Sequence, residues 1–359
     1  MATPVSRLQG VLSERGLDAF IVAAPEQLSS TNLRYLSGFS GSSAFLVVST
    51  DQAWLLTDFR YIEQAKLECP GIQVVQHGRV SDSLRDLVVT HRLWDVGFEE
   101  DKVPVSMWNV WKSRVPAVWH GMTGLVERLR VRKDLDELAK IRRAAEIAGH
   151  AVLRILPTLE GQREEEVALA IEWAIRRQGA TLGFPTIVAS GPRGALPHAQ
   201  PTDRVIQAGD LVTIDFGAEY QGYKSDETVT VGIGAVDAQL REIFDLVSRA
   251  QQAGISEAKP GNTTYDVDRA ARQIIDDAGF GSNFGHGTGH GVGLDVHEDP
   301  YTVSKLEQAV ILEPGMTITV EPGIYIPGLG GVRLEDTLVI TETGNERLTS
   351  LPKSYRSVD

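Results

Sequence analysis

The sequence predicts an α+β chain of two domains, an α/β domain over residues 1–125 and, over 126–359, a domain built from two helix–helix–hairpin units. Three observations lead there. A length of 359 residues exceeds what one ordinary hydrophobic core organises. The first third alternates short apolar runs of strand type with amphipathic stretches. The remainder contains a diverged internal duplication.

In chain order, strands are expected at Leu17–Ala24, Ser43–Ser49, Ala53–Thr57 and Trp94–Glu99, with helices at Tyr61–Cys69 and Ser81–His91. This domain ends near Gly124, and a charged segment, Glu127–Asp136, follows it. Asp134 and Glu137 have the spacing of a capping box. The helix they start carries Leu135, Leu138, Ile141, Ala145, Ala148, Val152 and Ile155, apolar residues three and four apart. A second helix runs from about Glu164 to Gln178. Its acids come first, Arg176 and Arg177 last, and Gly179 closes it, as the helix dipole favours.

The duplication lies in GDLVTIDFGAEY (209–220) and GMTITVEPGIY (315–325). Each copy places an acid six positions after its first glycine: Asp215 and Glu321. A second pair of segments matches Asp226-Glu-Thr228 to Glu335-Asp-Thr337, and helix pairs at roughly 135–178 and 238–278 precede the two copies. Pro260-Gly261 breaks the second pair. Two units related by approximate two-fold symmetry would each contribute two carboxylates from adjacent strands.

Composition excludes several classes. Acids outnumber bases, 48 to 35, and the net charge of −13 disfavours phosphate-backbone binding, so no nucleic-acid partner is expected. Cys69 is the single cysteine, so an intrachain disulfide and a thiolate metal site are both excluded. No apolar run approaches membrane-spanning length, and residues 1–10 lack the pattern of a secretory signal. A cytoplasmic protein without membrane association is expected.

Asp215, Asp226, Glu321 and Glu335 each sit in an apolar strand-type stretch, where a carboxylate is costly unless paired or bound to metal. One such acid could be a solvated strand end. Four at matched positions of a duplicated unit point to two divalent cations, whose charge balances theirs. Three histidines, His286, His290 and His297, fall in the glycine-rich segment GHGTGHGVGLDVHE (285–298). Those glycines rule out a helical two-histidine zinc motif, and the spacing does not fit a phosphate-binding glycine loop. His198 follows Leu196-Pro197; His77, His91, His120 and His150 are isolated and are assigned no role. Four carboxylates, one imidazole and no thiolate form a hard, oxygen-rich donor set, which favours Mn²⁺, with Co²⁺ or Zn²⁺ as alternatives.

Taken in order, IDFG (214–217), SDET (225–228), HGTGHG (286–291), VEPG (320–323) and RLED (333–336) resemble the pita-bread metallopeptidases, specifically the branch of prolidase and aminopeptidase P. The resemblance covers nearly the whole chain and implies a creatinase-like N-terminal domain before a C-terminal pita-bread domain. It implies Asp215, Asp226, His290, Glu321 and Glu335 as ligands of two metal ions, with Asp226 and Glu335 bridging. A hydroxide held between the ions would attack the peptide carbonyl, with Glu321 taking the proton of the parent water. By the same resemblance His198 and His297 stand beside the scissile carbonyl, and His286 is a substrate-side histidine. Arg333 would meet a substrate carboxylate or the groups around the ligands. One departure is visible: many relatives carry arginine after the threonine of SDET, where this chain has Val229.

The implied activity is cleavage of Xaa-Pro bonds, preferably in dipeptides, by a homodimer. The runner-up is an aminopeptidase P acting on longer Xaa-Pro-Yaa peptides. Creatinase would lack the ligand set, methionine aminopeptidase would lack the N-terminal domain, and a non-catalytic peptide-binding module would usually have lost the ligands. In the N-terminal domain, Arg34 and Arg60 would either limit substrate length or form salt bridges, and Trp108 and Trp111 are expected in a core or dimer contact.

Overall fold

A computed structural model describes residues 3–26, 28 and 30–358. Its contacts divide the chain into two units, Met1–Arg130 and Val131–Asp359.

The first unit is a six-stranded mixed sheet with helices. Its strand order is Gln73–Gln76, Ala53–Thr57, Ala44–Ser49, Ala19–Ala24, Asp95–Glu99, Val118–Met122. The three strands Ala19–Ala24, Ala44–Ser49 and Ala53–Thr57 are buried along their whole length, so they read as continuous apolar runs in the sequence. The two edge strands are half-exposed and carry no such run, which is why the sequence pattern does not reveal them. Helix Pro4–Arg15 was not expected either; its signal is local, Thr3 accepting from the Ser6 N–H with proline in the first turn. Trp111 is fully buried and Trp108 stacks on Phe98 at 4.5 Å, so both tryptophans serve this unit's core.

The second unit repeats one order of elements. Helices Leu135–Ile155 and Glu164–Arg177 precede the hairpin of Leu211–Phe216 with Glu227–Ile233. Helices Ala238–Glu257 and Thr264–Asp277 precede the hairpin of Thr317–Val320 with Asp336–Ile340. The capping box at Asp134 and Glu137 is formed, and the second helix pair breaks around Pro260-Gly261. Apolar stripes of the first pair pack on the first hairpin, through Ile147, Val152 and Ile171 against Val212, Ile214 and Val231. Among the described residues no helix is long and apolar enough to cross a membrane.

In the first unit, Glu99 ends a strand at 3% exposure. Its Oε1 accepts from Asn32 Nδ2 at 2.5 Å, while Oε2 has no partner. Burial outweighs that hydrogen bond and, with the nearby Glu127 carboxylate, pushes the acid up to about 7 from 4.5. A raised acid contributes stability that is complete below its unfolded value and is lost as pH rises through its folded one. Glu99→Gln keeps the acceptor for Asn32 and is therefore expected to stabilise the protein at pH 8 by up to about 3 kcal/mol. It should change little at pH 4.5. Thermal unfolding of parent and variant at the two pH values checks this.

Candidate metal centre

Strand alternation decides which acids meet. In the first hairpin Asp215 lies opposite Thr228 and Thr213 opposite Thr230, so Asp226, two residues before Thr228, shares their face. In the second, Thr319 lies opposite Thr337 and Val320 opposite Asp336, so Glu321 and Glu335 flank the end of the ladder on the face of Thr319 and Thr337. The two copies differ by two residues in register. An even shift leaves each acid on its own face, and the four carboxylates remain on one side.

Threonines lace the hairpins together. The Thr228 hydroxyl donates to Glu335 Oε2 at 2.7 Å, and the Thr337 hydroxyl donates to the Asp226 carbonyl at 2.7 Å. Between the same segments the Glu335 N–H donates to the Thr228 carbonyl at 3.1 Å.

His290 comes from the glycine-rich segment, which packs against strand Thr317–Val320. A Cβ at Gly289 would stand 2.1 Å from the Thr319 carbonyl oxygen, and one at Gly291 2.4 Å from that of Asp299, so neither position admits a side chain. The His290 N–H donates to Thr319 Oγ1 at 3.0 Å, and the Glu321 N–H to the Thr288 carbonyl at 2.8 Å. Thr288 is fixed in turn by Asp268, which accepts from its N–H and hydroxyl at 3.0 and 2.7 Å. His290 Nδ1 lies 3.1 Å from the Gly291 carbonyl, an acceptor only, so Nδ1 carries the proton and Nε2 faces the acids. Nε2 stands 3.3 Å from Glu321 Oε1 and 3.7 Å from Asp226 Oδ2.

Donor atoms of Asp226, His290 and Glu335 lie within 4.8 Å of one another. Glu321 joins them through His290. Asp215 is engaged by Arg333, whose Nη2 donates to its Oδ2 at 2.6 Å. All five residues line a cavity of about 850 Å³, as do His198, His286, His297 and Arg333. His198 and His297 are exposed on its wall, with the His297 ring 4.2 Å from that of His290. His286 Nδ1 donates to the Gly287 carbonyl at 2.8 Å, and burial holds the ring below its ordinary pKa, so the neutral Nε2 accepts from the Tyr325 hydroxyl at 3.0 Å. Tyr325 accepts from Arg333 Nη1 at 3.2 Å. Tyr325 was missed in the sequence; its signal was there, as the closing tyrosine of the second duplicated segment.

The electrostatics match a cation site. Burial and the neighbouring acids raise Asp226 and Glu335 well above the usual carboxylate range. For Glu321, burial pushes up but the hydrogen bond and charge of His290 outweigh it, leaving about 2. Asp215 Oδ1 and Glu335 Oε1 are buried without a hydrogen-bond partner. Orphaned carboxylate oxygens beside an imidazole nitrogen turned toward them fit hard divalent ions, and the set contains no sulfur.

Other expectations fall elsewhere. Val229 alternates to the opposite face and packs with Leu351 in the helix-covered core, so the change from arginine does not touch the cavity. In the first unit, Arg60 is bound to Glu26 and Asp58 at 2.8 and 2.9 Å, and Arg34 in helix Thr31–Ser37 also has partners.

Residues 139–342 match Metallopeptidase family M24, and residues 4–132 match the Creatinase/Prolidase N-terminal domain. The chain is 38% identical to an Xaa-Pro dipeptidase of Pyrococcus furiosus, over 97% of this chain and 98% of that one. Its structure is similar to an Xaa-Pro dipeptidase from Bacillus anthracis, with TM-score 0.94 at 39% identity over 99% of each chain. It is also similar to an X-Pro aminopeptidase from Thermotoga maritima, with TM-score 0.91 at 37% identity over 96% of this chain and 99% of that one. The chain is an enzyme of metallopeptidase family M24, with a creatinase-type domain ahead of a pita-bread catalytic domain.

Proposed function

We propose that the enzyme hydrolyses the bond between a first residue and a proline in second position, with dipeptides preferred. The observation that carries this reading is the meeting of Asp226, His290 and Glu335 in the cavity, in a chain similar over its length to Xaa-Pro dipeptidases. Asp215, Asp226, His290, Glu321 and Glu335 would hold two divalent ions, Mn²⁺ by the hardness of the donors. When bound, such ions polarise a carbonyl and lower the pKa of water.

The chain's own residues supply the rest. Glu321 is the carboxylate read as accepting a proton, its Oε1 standing 3.3 Å from His290 Nε2. His198 and His297 stand on the cavity wall as donors to the carbonyl that gains charge. Partial desolvation keeps His297 below its ordinary pKa, so it acts as a neutral donor. His286, tied to Tyr325, faces the substrate side. Arg333 is committed to Asp215 and orients it. Phe184, Pro185, Ile187 and Val296 form apolar lining for a pyrrolidine ring, whose nitrogen carries no hydrogen and asks for no acceptor.

A second reading, an aminopeptidase for longer Xaa-Pro-Yaa peptides, is favoured by the similarity to the Thermotoga maritima structure. A homodimer in a reducing, cytoplasmic compartment completes the proposal; the single buried Cys69 suits the latter.

Asp226→Asn should lose most of its Mn²⁺ and at least about 100-fold in kcat/KM, measured by metal analysis of the purified variant and Xaa-Pro hydrolysis. The wild-type enzyme loaded with Mn²⁺ should cleave Xaa-Pro at least about tenfold better than Xaa-Pro-Yaa by kcat/KM. The reverse order assigns the aminopeptidase reading.

A further inference from the structure

The second strand of each hairpin opens on two consecutive acids, Asp226-Glu227 and Glu335-Asp336. Alternation sends the first of each doublet to the cavity and the second to the opposite face. Glu227 and Asp336 are both buried there, and neither lines the cavity. Between them lies Lys353, its side chain 5% exposed. Its Nζ donates to Glu227 Oε1, reaches Asp336 Oδ1 at 3.3 Å and donates to the Leu351 carbonyl at 3.2 Å.

The C-terminal segment around this lysine is fastened to both halves. The Leu348 N–H donates to the Thr337 carbonyl at 2.8 Å, and the Thr349 hydroxyl to Asp336 Oδ1 at 2.7 Å. The Leu351 N–H donates to Glu227 Oε1 at 3.0 Å. Arg347 also meets Asp336, at 3.3 Å, but is 45% exposed, and its side chain otherwise reaches Gln252, again in the second half. Lys353 thus joins an acid of each copy to one buried cation on the face away from the cavity.

We propose that Lys353 is a positioning residue for the metal centre, clasping the first and second hairpins from behind so that Asp226 and Glu335 converge in front. The inference rests on the reading that those two carboxylates hold divalent ions. Removing the lysine leaves Glu227 and Asp336 buried without their common cation, and their repulsion acts on the backbone that also carries Asp226 and Glu335. Supporting groups of this kind govern metal affinity by about 10- to 100-fold when lost.

The test measures Mn²⁺ affinity by titration against a competing chelator, well below each variant's Tm, together with Tm of the metal-free protein. Lys353→Met should bind Mn²⁺ about 10- to 100-fold more weakly, and Lys353→Arg should recover to within a few-fold of wild type. Glu227→Gln removes one arm of the clasp more gently and decides the matter if Lys353→Met does not fold; it should weaken affinity several-fold. Where both fold, their losses should be non-additive in the double variant. A lowered Tm with unchanged Mn²⁺ affinity in the folded variants overturns the proposal. Asp226→Asn is titrated in parallel: if it too binds Mn²⁺ as wild type does, the reading of the metal centre itself has failed, and the clasp falls with it.

Discussion

The second unit is organised around a concentration of buried negative charge. Asp215, Asp226, Glu321 and Glu335 face one way and Glu227 and Asp336 the other, all within two hairpins. Two like charges 4 Å apart repel by about 4 kcal/mol at the effective dielectric of a protein's outer layers, and more where water is excluded. No arrangement of backbone hydrogen bonds offsets six such groups. Cations must do so, and the chain supplies them sparingly: Arg333 on Asp215 in front, Lys353 on Glu227 and Asp336 behind, with the half-exposed Arg347 also on Asp336. What remains in front is the demand for divalent metal, visible in the raised Asp226 and Glu335 and in the unpartnered oxygens of Asp215 and Glu335.

The fold meets that constraint by giving each strand two unlike faces. Apolar side chains such as Val212, Ile214 and Val231 anchor the first hairpin to its helices, while threonines on the other face tie one hairpin to the other and aim the carboxylates. Hydroxyls suit the task because each can donate and accept: Thr228 donates to Glu335 while accepting from Arg333 Nε at 3.3 Å. The glycine-rich segment adds the imidazole of His290 by lying closer to strand Thr317–Val320 than any side chain would permit.

Much of this was legible in the sequence, for identifiable reasons. Buried central strands are long apolar runs, helices carry stripes and caps, and duplication repeats acids at matched offsets. The family, the two-domain order and the catalytic class followed from motifs whose order is specific. Edge strands such as Gln73–Gln76 and Val118–Met122 escaped because exposure on both sides removes the pattern. Lys353 escaped for a different reason. It acts on Glu227, 126 residues earlier, and spacing along a sequence carries no trace of such a meeting.

The acidic doublets have a consequence for how the hairpins tolerate change. A slip of one residue in an ordinary half-buried strand swaps an inward group for an outward one of opposite character. Here a slip in one direction would bring Glu227 forward for Asp226, or Asp336 for Glu335, one a methylene longer and the other a methylene shorter, whereas the opposite slip brings Ser225 or Leu334. In the first direction the charge facing the cavity would survive a change that ruins the geometry, so there these strand ends are buffered in sign and exacting in reach.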